Sequence, residues 1–114
     1  MLQGTLDLLV LATLGTGPSH GYAIARTIER QSQQRLAVEE GSLYPALRRL
    51  ERRGELASEW RTTPTGRRAK FYRLTSAGHE RLREQADLWA RLAGAVSGVL
   101  ARCPALPHPS AKRD

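Results

Sequence analysis

A single cysteine, Cys103, stands in 114 residues, so no internal disulfide can form. That fits a reducing compartment, and cytoplasmic localisation is expected. Histidine is almost as scarce. His20, His79 and His108 are scattered, and neither they nor Cys103 fall at metal-ligand spacing, so no metal or other cofactor is expected. The acids show no pairing suited to general acid and base work. No glycine-rich loop follows a strand to cradle a nucleotide. These gaps together argue against an enzyme. Long apolar runs are missing too. Leu6–Leu14 is far too short to cross a bilayer, and Met1-Leu2-Gln3-Gly4 has no basic region ahead of it, so neither a membrane span nor a signal peptide is expected. There is no internal repeat.

What remains is an ordinary globular composition, 40% hydrophobic and 25% charged, at a length suited to one modest core. The charge is not evenly spread. Between Gly41 and Arg73 lie nine bases (Arg48, Arg49, Arg52, Arg53, Arg61, Arg67, Arg68, Lys70 and Arg73) against Glu51, Glu55 and Glu59, a local excess of +6 in a chain of net +7. So concentrated a basic surface suits nucleic acid, although a solvated basic face has the same composition.

Apolar periodicity divides the chain. Leu2, Leu6, Leu9 and Thr13, with Val10 and Leu14, predict a first helix that ends at Gly15-Thr16-Gly17-Pro18. A second helix carries Ile24, Ala25 and Ile28 on one side, with Ser19 placed to cap it, and fades at Gln31–Gln34. A third starts near Glu40–Ser42 and stops at Gly54, with Pro45 expected in its first turn. Leu56–Trp60 and Ala69–Leu74 read as strands joined by Thr62–Arg68, a hairpin. Thr75 is placed to cap a last helix that runs to about Leu100, and the proline-bearing segment from Cys103 to Asp114 reads as a tail. The expected fold is mainly α with a small β-hairpin, a winged helix-turn-helix. Residues 1–75 form the DNA-binding domain, 76–101 a C-terminal dimerisation helix and 102–114 a flexible tail.

On a wheel of about 100° per residue, Leu43, Leu47 and Leu50 share one face of the third helix, with Ala46 on its flank. Arg48, Arg52 and Pro45 lie opposite, with Tyr44 and Arg49 at the edges. A major groove admits such a helix, and arginine forks suit both guanine and phosphate. Ser42, Tyr44 and Arg48 are therefore expected to contact bases and phosphates of double-stranded DNA, with Arg49 and Arg52 on the backbone. Arg67, Arg68 and Lys70, at or near the hairpin tip, are expected to reach the neighbouring backbone or minor groove. Core packing is the expectation for at least two of Trp60, Phe71 and Tyr72.

His79, Leu82, Ala86, Trp89, Ala93, Val96 and Leu100 recur at alternating steps of three and four, a coiled-coil stripe. A lone terminal helix cannot bury such a stripe on itself, so a homodimer is expected, with Leu6 and Leu9 joining the seam. The competing view packs the stripe only on Leu2–Leu14 of its own chain; both contacts are expected, with the partner supplying most of the burial. A two-fold pair would set two reading helices about 10 bp apart on an inverted-repeat operator.

Three segments resemble one family, the PadR-like transcriptional regulators. His20-Gly21-Tyr22-Ala23-Ile24 is similar to its second-helix motif. The run from Glu40 through Gly54 (EGSLYPALRRLERRG) resembles its recognition helix nearly residue for residue. Arg67–Thr75 followed by Gly78 is similar to its wing and exit. The chain looks like the short subfamily, with one C-terminal helix. The resemblance implies a homodimeric repressor released from its operator by a small effector. Trp89 falls where multidrug-sensing relatives place a paired tryptophan that stacks planar aromatic ligands. It equally suits plain packing in the seam. The alternative to a DNA reader is a winged-helix module that docks an acidic protein on its basic face.

Overall fold

A computed structural model describes residues 1–106; the expected tail lies partly beyond it, with Pro107, His108 and Pro109 outside the described residues. The elements run α1 (Gln3–Leu14), β1 (Ser19–His20), α2 (Gly21–Gln31), α3 (Glu40–Arg52), β2 (Leu56–Thr62), β3 (Arg68–Leu74) and α4 (Ser76–Ala101). This is the winged helix-turn-helix order. The three strands form one antiparallel sheet, β1-β3-β2, so the expected hairpin is extended by a short third strand. Among the described residues no helix is long and apolar enough to cross a membrane.

The chain forms two compact units, one through Arg83 and one from Glu84 onward. The first therefore includes the opening turns of α4, beyond the boundary expected at residue 75. Its core gathers Leu6, Val10, Leu11 and Leu14 of α1, Ile24, Ala25 and Ile28 of α2, and Leu43, Ala46, Leu47 and Leu50 of α3. Leu56, Tyr72 and Leu74 of the sheet and Val38 complete it. Leu2 is left outside, 79% exposed, because the helix begins one residue later.

Local chemistry sets the joints. Ser19 is not the cap of α2. It pairs with Tyr72 in the sheet, and His20 caps instead, its Nδ1 accepting the Ala23 N–H at 3.3 Å. The same imidazole stands edge-on to Phe71, 5.2 Å between centroids. Gly54 ends α3 with φ +77°, a conformation that a side chain would strain. Thr75 caps α4 through the Gly78 N–H, and its hydroxyl donates to the Gly54 carbonyl. Pro45 sits in the second turn of α3, not the first, because the helix begins at Glu40. The Gly41 carbonyl, four residues back, therefore has no N–H to accept, and Gly41 is exposed, open to water.

Candidate nucleic-acid interface

Helix α3 is two-sided. Leu43, Ala46, Leu47 and Leu50 are at most 1% exposed. That stripe fixes the rotation of the helix, and with it the direction in which the polar residues point. Ser42, Arg48, Arg52 and Arg53 are exposed. Neither Arg48 nor Arg52 makes an ion pair among the described residues, so both guanidinium groups remain available to an anion.

Two residues of the expected site, Arg49 and Tyr44, make contacts within the fold. Arg49 donates to Asp7 of α1 at 2.7 Å, with side chains only 22% and 14% exposed, and Arg53 stands 3.9 Å from the other carboxylate oxygen. Arg49 was expected on the DNA backbone. It ties α3 to α1, and its Nε is buried with no partner. Asp7 is the sole charge of α1, a helix that buries Leu6, Val10, Leu11 and Leu14. A lone acid in that setting signals a buried cation, and that signal was there to be read. Tyr44 is half-buried against the core, its ring lying on Gly21. A Cβ at Gly21 would come within 2.8 Å of that ring and 2.9 Å of its hydroxyl. The glycine thus makes the notch that seats Tyr44. Pro45 is half-buried in the same turn.

The wing is anchored to α3 through Glu51. One carboxylate oxygen accepts the Ser58 hydroxyl at 2.5 Å, and the other faces Lys70 at 3.5 Å. Lys70, expected to reach DNA, is thus already paired within the chain. Arg67 and Arg68 are exposed near the tip, where Gly66 takes φ +87° and the Thr63 hydroxyl accepts the Arg67 N–H. Both strands run further toward the tip than expected, to Thr62 and back from Arg68, in register. Alternation along them places Leu56, Ser58, Trp60 and Thr62 on one face with Leu74, Tyr72, Lys70 and Arg68. The base of this face is core. Burial pushes the Tyr72 phenol above its ordinary 10.0, with Lys70 pulling it down and Glu51 and Tyr44 pushing it further up. Arg48 adds a small downward pull, which puts it within electrostatic reach of the wing's root. Of the three strand aromatics, of which at least two were expected in the core, Tyr72 is buried, Phe71 is half-buried and Trp60 is 59% exposed. The sheet has left the core by the time it reaches Trp60.

Helix α4 carries the expected stripe. Leu82, in the first unit, is half-buried and packs on the core beside Gly15. In the second unit Ala86, Trp89, Val96 and Leu100 are exposed and Ala93 is half-buried. Leu88, Leu92 and Val99 are exposed as well, so the apolar surface is wider than the heptad positions. A shallow hollow of about 280 Å³ lies among Ala95, Val96, Val99 and Leu100. Leu6 was expected on a dimer seam. It is 4% exposed, enclosed by its own core, and has no surface left for a partner; Leu9 is half-buried. Among the described residues no three of His, Cys, Asp and Glu stand together as a metal site would need.

Residues 10–84 match the model of the transcriptional regulator PadR-like family, and they take in α2, α3 and the whole wing. The chain belongs to the PadR-like family. A solved PadR family transcriptional regulator from Eggerthella lenta is 37% identical, with a TM-score of 0.74 over 88% of this chain and 85% of its own. A PadR-like transcriptional regulator from Bacillus cereus is 26% identical, with a TM-score of 0.76 over 88% of this chain and 95% of its own. The Mycobacterium tuberculosis transcriptional regulator Rv3488 is 38% identical over 84% of this chain and 86% of its own length. An uncharacterized 37.1 kDa protein in a Streptomyces fradiae transposon is 44% identical over 84% of this chain, which spans only 26% of that relative. PadR-like proteins are transcriptional regulators that bind DNA, and residues 10–84, which match the family, contain the two-sided α3 and its wing.

Proposed function

We propose that this PadR-like chain acts in the cytoplasm as a homodimeric repressor that covers an inverted-repeat operator and is released by a small planar aromatic effector. The reading rests on one observation: Arg48 and Arg52 stand exposed, with no acid partner among the described residues, on a helix whose rotation is locked by four buried residues. Ser42, Arg48 and Arg52 read and grip the major groove, and Arg67 and Arg68 take the adjoining backbone or minor groove. Tyr44 contributes its edge, and Pro45 shapes the turn that bears it. Lys70 contributes by holding the wing to α3 through Glu51.

Dimerisation is supported by the apolar surface of α4 from Ala86 to Leu100. Large exposed apolar patches on a small domain mark association surfaces. Two-fold pairing along Ala86, Trp89, Ala93, Val96 and Leu100 would bring two Trp89 indoles together, and a flat slot between them would take the effector. Selection of bound sequences from a random duplex pool tests the proposal. An inverted repeat with half-sites about 10 bp apart is the expected product. A single unrepeated motif, or no enrichment at all, overturns it.

A further inference from the structure

Trp60 has no function in the reading above, and its setting is unusual. It is the outermost large hydrophobic residue on the wing face that begins in the core. Along β2 that face passes from buried Leu56 through half-buried Ser58 to Trp60, 59% exposed. An indole left in water forgoes the burial that places most tryptophans in proteins. This one also carries a cation on its face. Arg68 lies over it, the guanidinium carbon 5.7 Å from the ring centroid, and Lys70 is its cross-strand partner. Glu59, the nearest acid along the strand, points to the opposite face, where it meets Arg61 at 3.3 Å. Glu51 is the acid on the Trp60 side, and Ser58 and Lys70 occupy it.

An exposed indole with a guanidinium laid over it suits apolar deoxyribose edges flanked by phosphates. An acidic protein surface would match the cations and leave the indole unmatched. We infer that Trp60 is a DNA-contacting residue of the wing, its indole face packed on the sugar edge of the groove beside the one α3 enters. Arg68, stacked on that indole, is held ready for a phosphate. A guanidinium already fixed over a ring loses less freedom on binding than a free one. Trp60 thereby sets the position of Arg68, and the pair acts as one unit. The inference rests on the DNA-binding reading proposed above.

The full-length Trp89→Phe variant leaves Trp60 as the sole tryptophan, and light scattering compares its assembly state with the wild type. It is titrated with a mixed-sequence duplex of about 30 bp at low salt, where backbone contacts dominate binding. Saturating duplex is expected to lower acrylamide quenching of Trp60 at least about threefold. In the otherwise native chain, Trp60→Ala is expected to weaken duplex binding about tenfold, because it removes the indole contact and frees the Arg68 guanidinium that the ring holds. Trp60→Phe should recover part of that loss. Urea unfolding of both variants shows whether the wing still folds. A Trp60 that stays fully open to acrylamide in the bound complex overturns this inference alone and leaves the reading of α3 intact. So does a Trp60→Ala chain of unchanged duplex affinity. If the wild-type chain binds no duplex, the reading of α3 fails first and this inference fails with it.

Discussion

Replacing Asp7 with alanine should destabilise the first unit without touching any group that faces DNA. The carboxylate lies 2.7 Å from Arg49 and 3.9 Å from Arg53, with Asp7 only 14% exposed and Arg49 22%. Removing it strands a mostly buried guanidinium whose Nε already lacks a partner. It also leaves two like charges four residues apart on α3. Breaking a fully buried pair costs about 3–5 kcal/mol, while a fully exposed pair contributes about 1 kcal/mol or less. A pair shielded to this degree belongs between them, so Asp7→Ala should cost about 2–3 kcal/mol in urea unfolding. The double variant Asp7→Leu with Arg49→Met removes both charges together and should recover most of that loss, because no buried charge is then left unpaired. Its duplex affinity should stay within about twofold of the native chain, since Arg49 belongs to the scaffold. If Asp7→Ala costs less than about 0.5 kcal/mol while Arg49→Met alone weakens duplex binding about tenfold, Arg49 is a DNA contact and its structural assignment is wrong.

Two glycines and a tyrosine yield further tests. A Cβ at Gly78 would run into the Glu55 backbone carbonyl, which cannot swing aside, so Gly78→Ala should cost about 3 kcal/mol in urea unfolding. At Gly21 the obstacle is the Tyr44 side chain, which can turn, so Gly21→Ala should cost less, about 1–2 kcal/mol, and weaken duplex binding by displacing Tyr44. Burial raises the Tyr72 phenol above 10.0, the value it regains on unfolding, so its contribution is complete below pH 10 and fades as the pH climbs toward the folded value. Urea titrations on either side of pH 10 should show a fall in stability that Tyr72→Phe makes shallower.

The fold was legible wherever apolar spacing and local stop signals agreed. Leu43, Ala46, Leu47 and Leu50 declared the buried face of α3, and Gly54 and Thr75 marked its end and the start of α4. What stayed hidden depends on contacts distant in sequence. Strand β1 is two residues that pair only because β3 offers them an edge, and no two-residue segment carries a strand signal of its own. On a helical wheel Arg49 belongs to the edge of the basic face. That wheel cannot see Asp7, 42 residues earlier in the chain. Leu6, expected on the seam, turns to its own core, because spacing names a face and not what covers it; Leu82 packs there too, the contact within the chain that was expected beside the partner's. Residue type does not say which strand aromatic stays outside: Tyr72 is buried, Phe71 half-buried and Trp60 exposed, because burial falls along the hairpin toward its tip.

The central claim is that the exposed face of α3 reads double-stranded DNA, and Arg48 carries it most directly. Duplex affinities of the native chain and of Arg48→Ala, measured on a selected sequence and on a scrambled one at two salt concentrations, put it to the test. The variant should lose about 1–3 kcal/mol on the selected duplex, discriminate less between the two sequences, and show a shallower dependence on salt. Equal affinities for both chains on both duplexes at each salt concentration would contradict it.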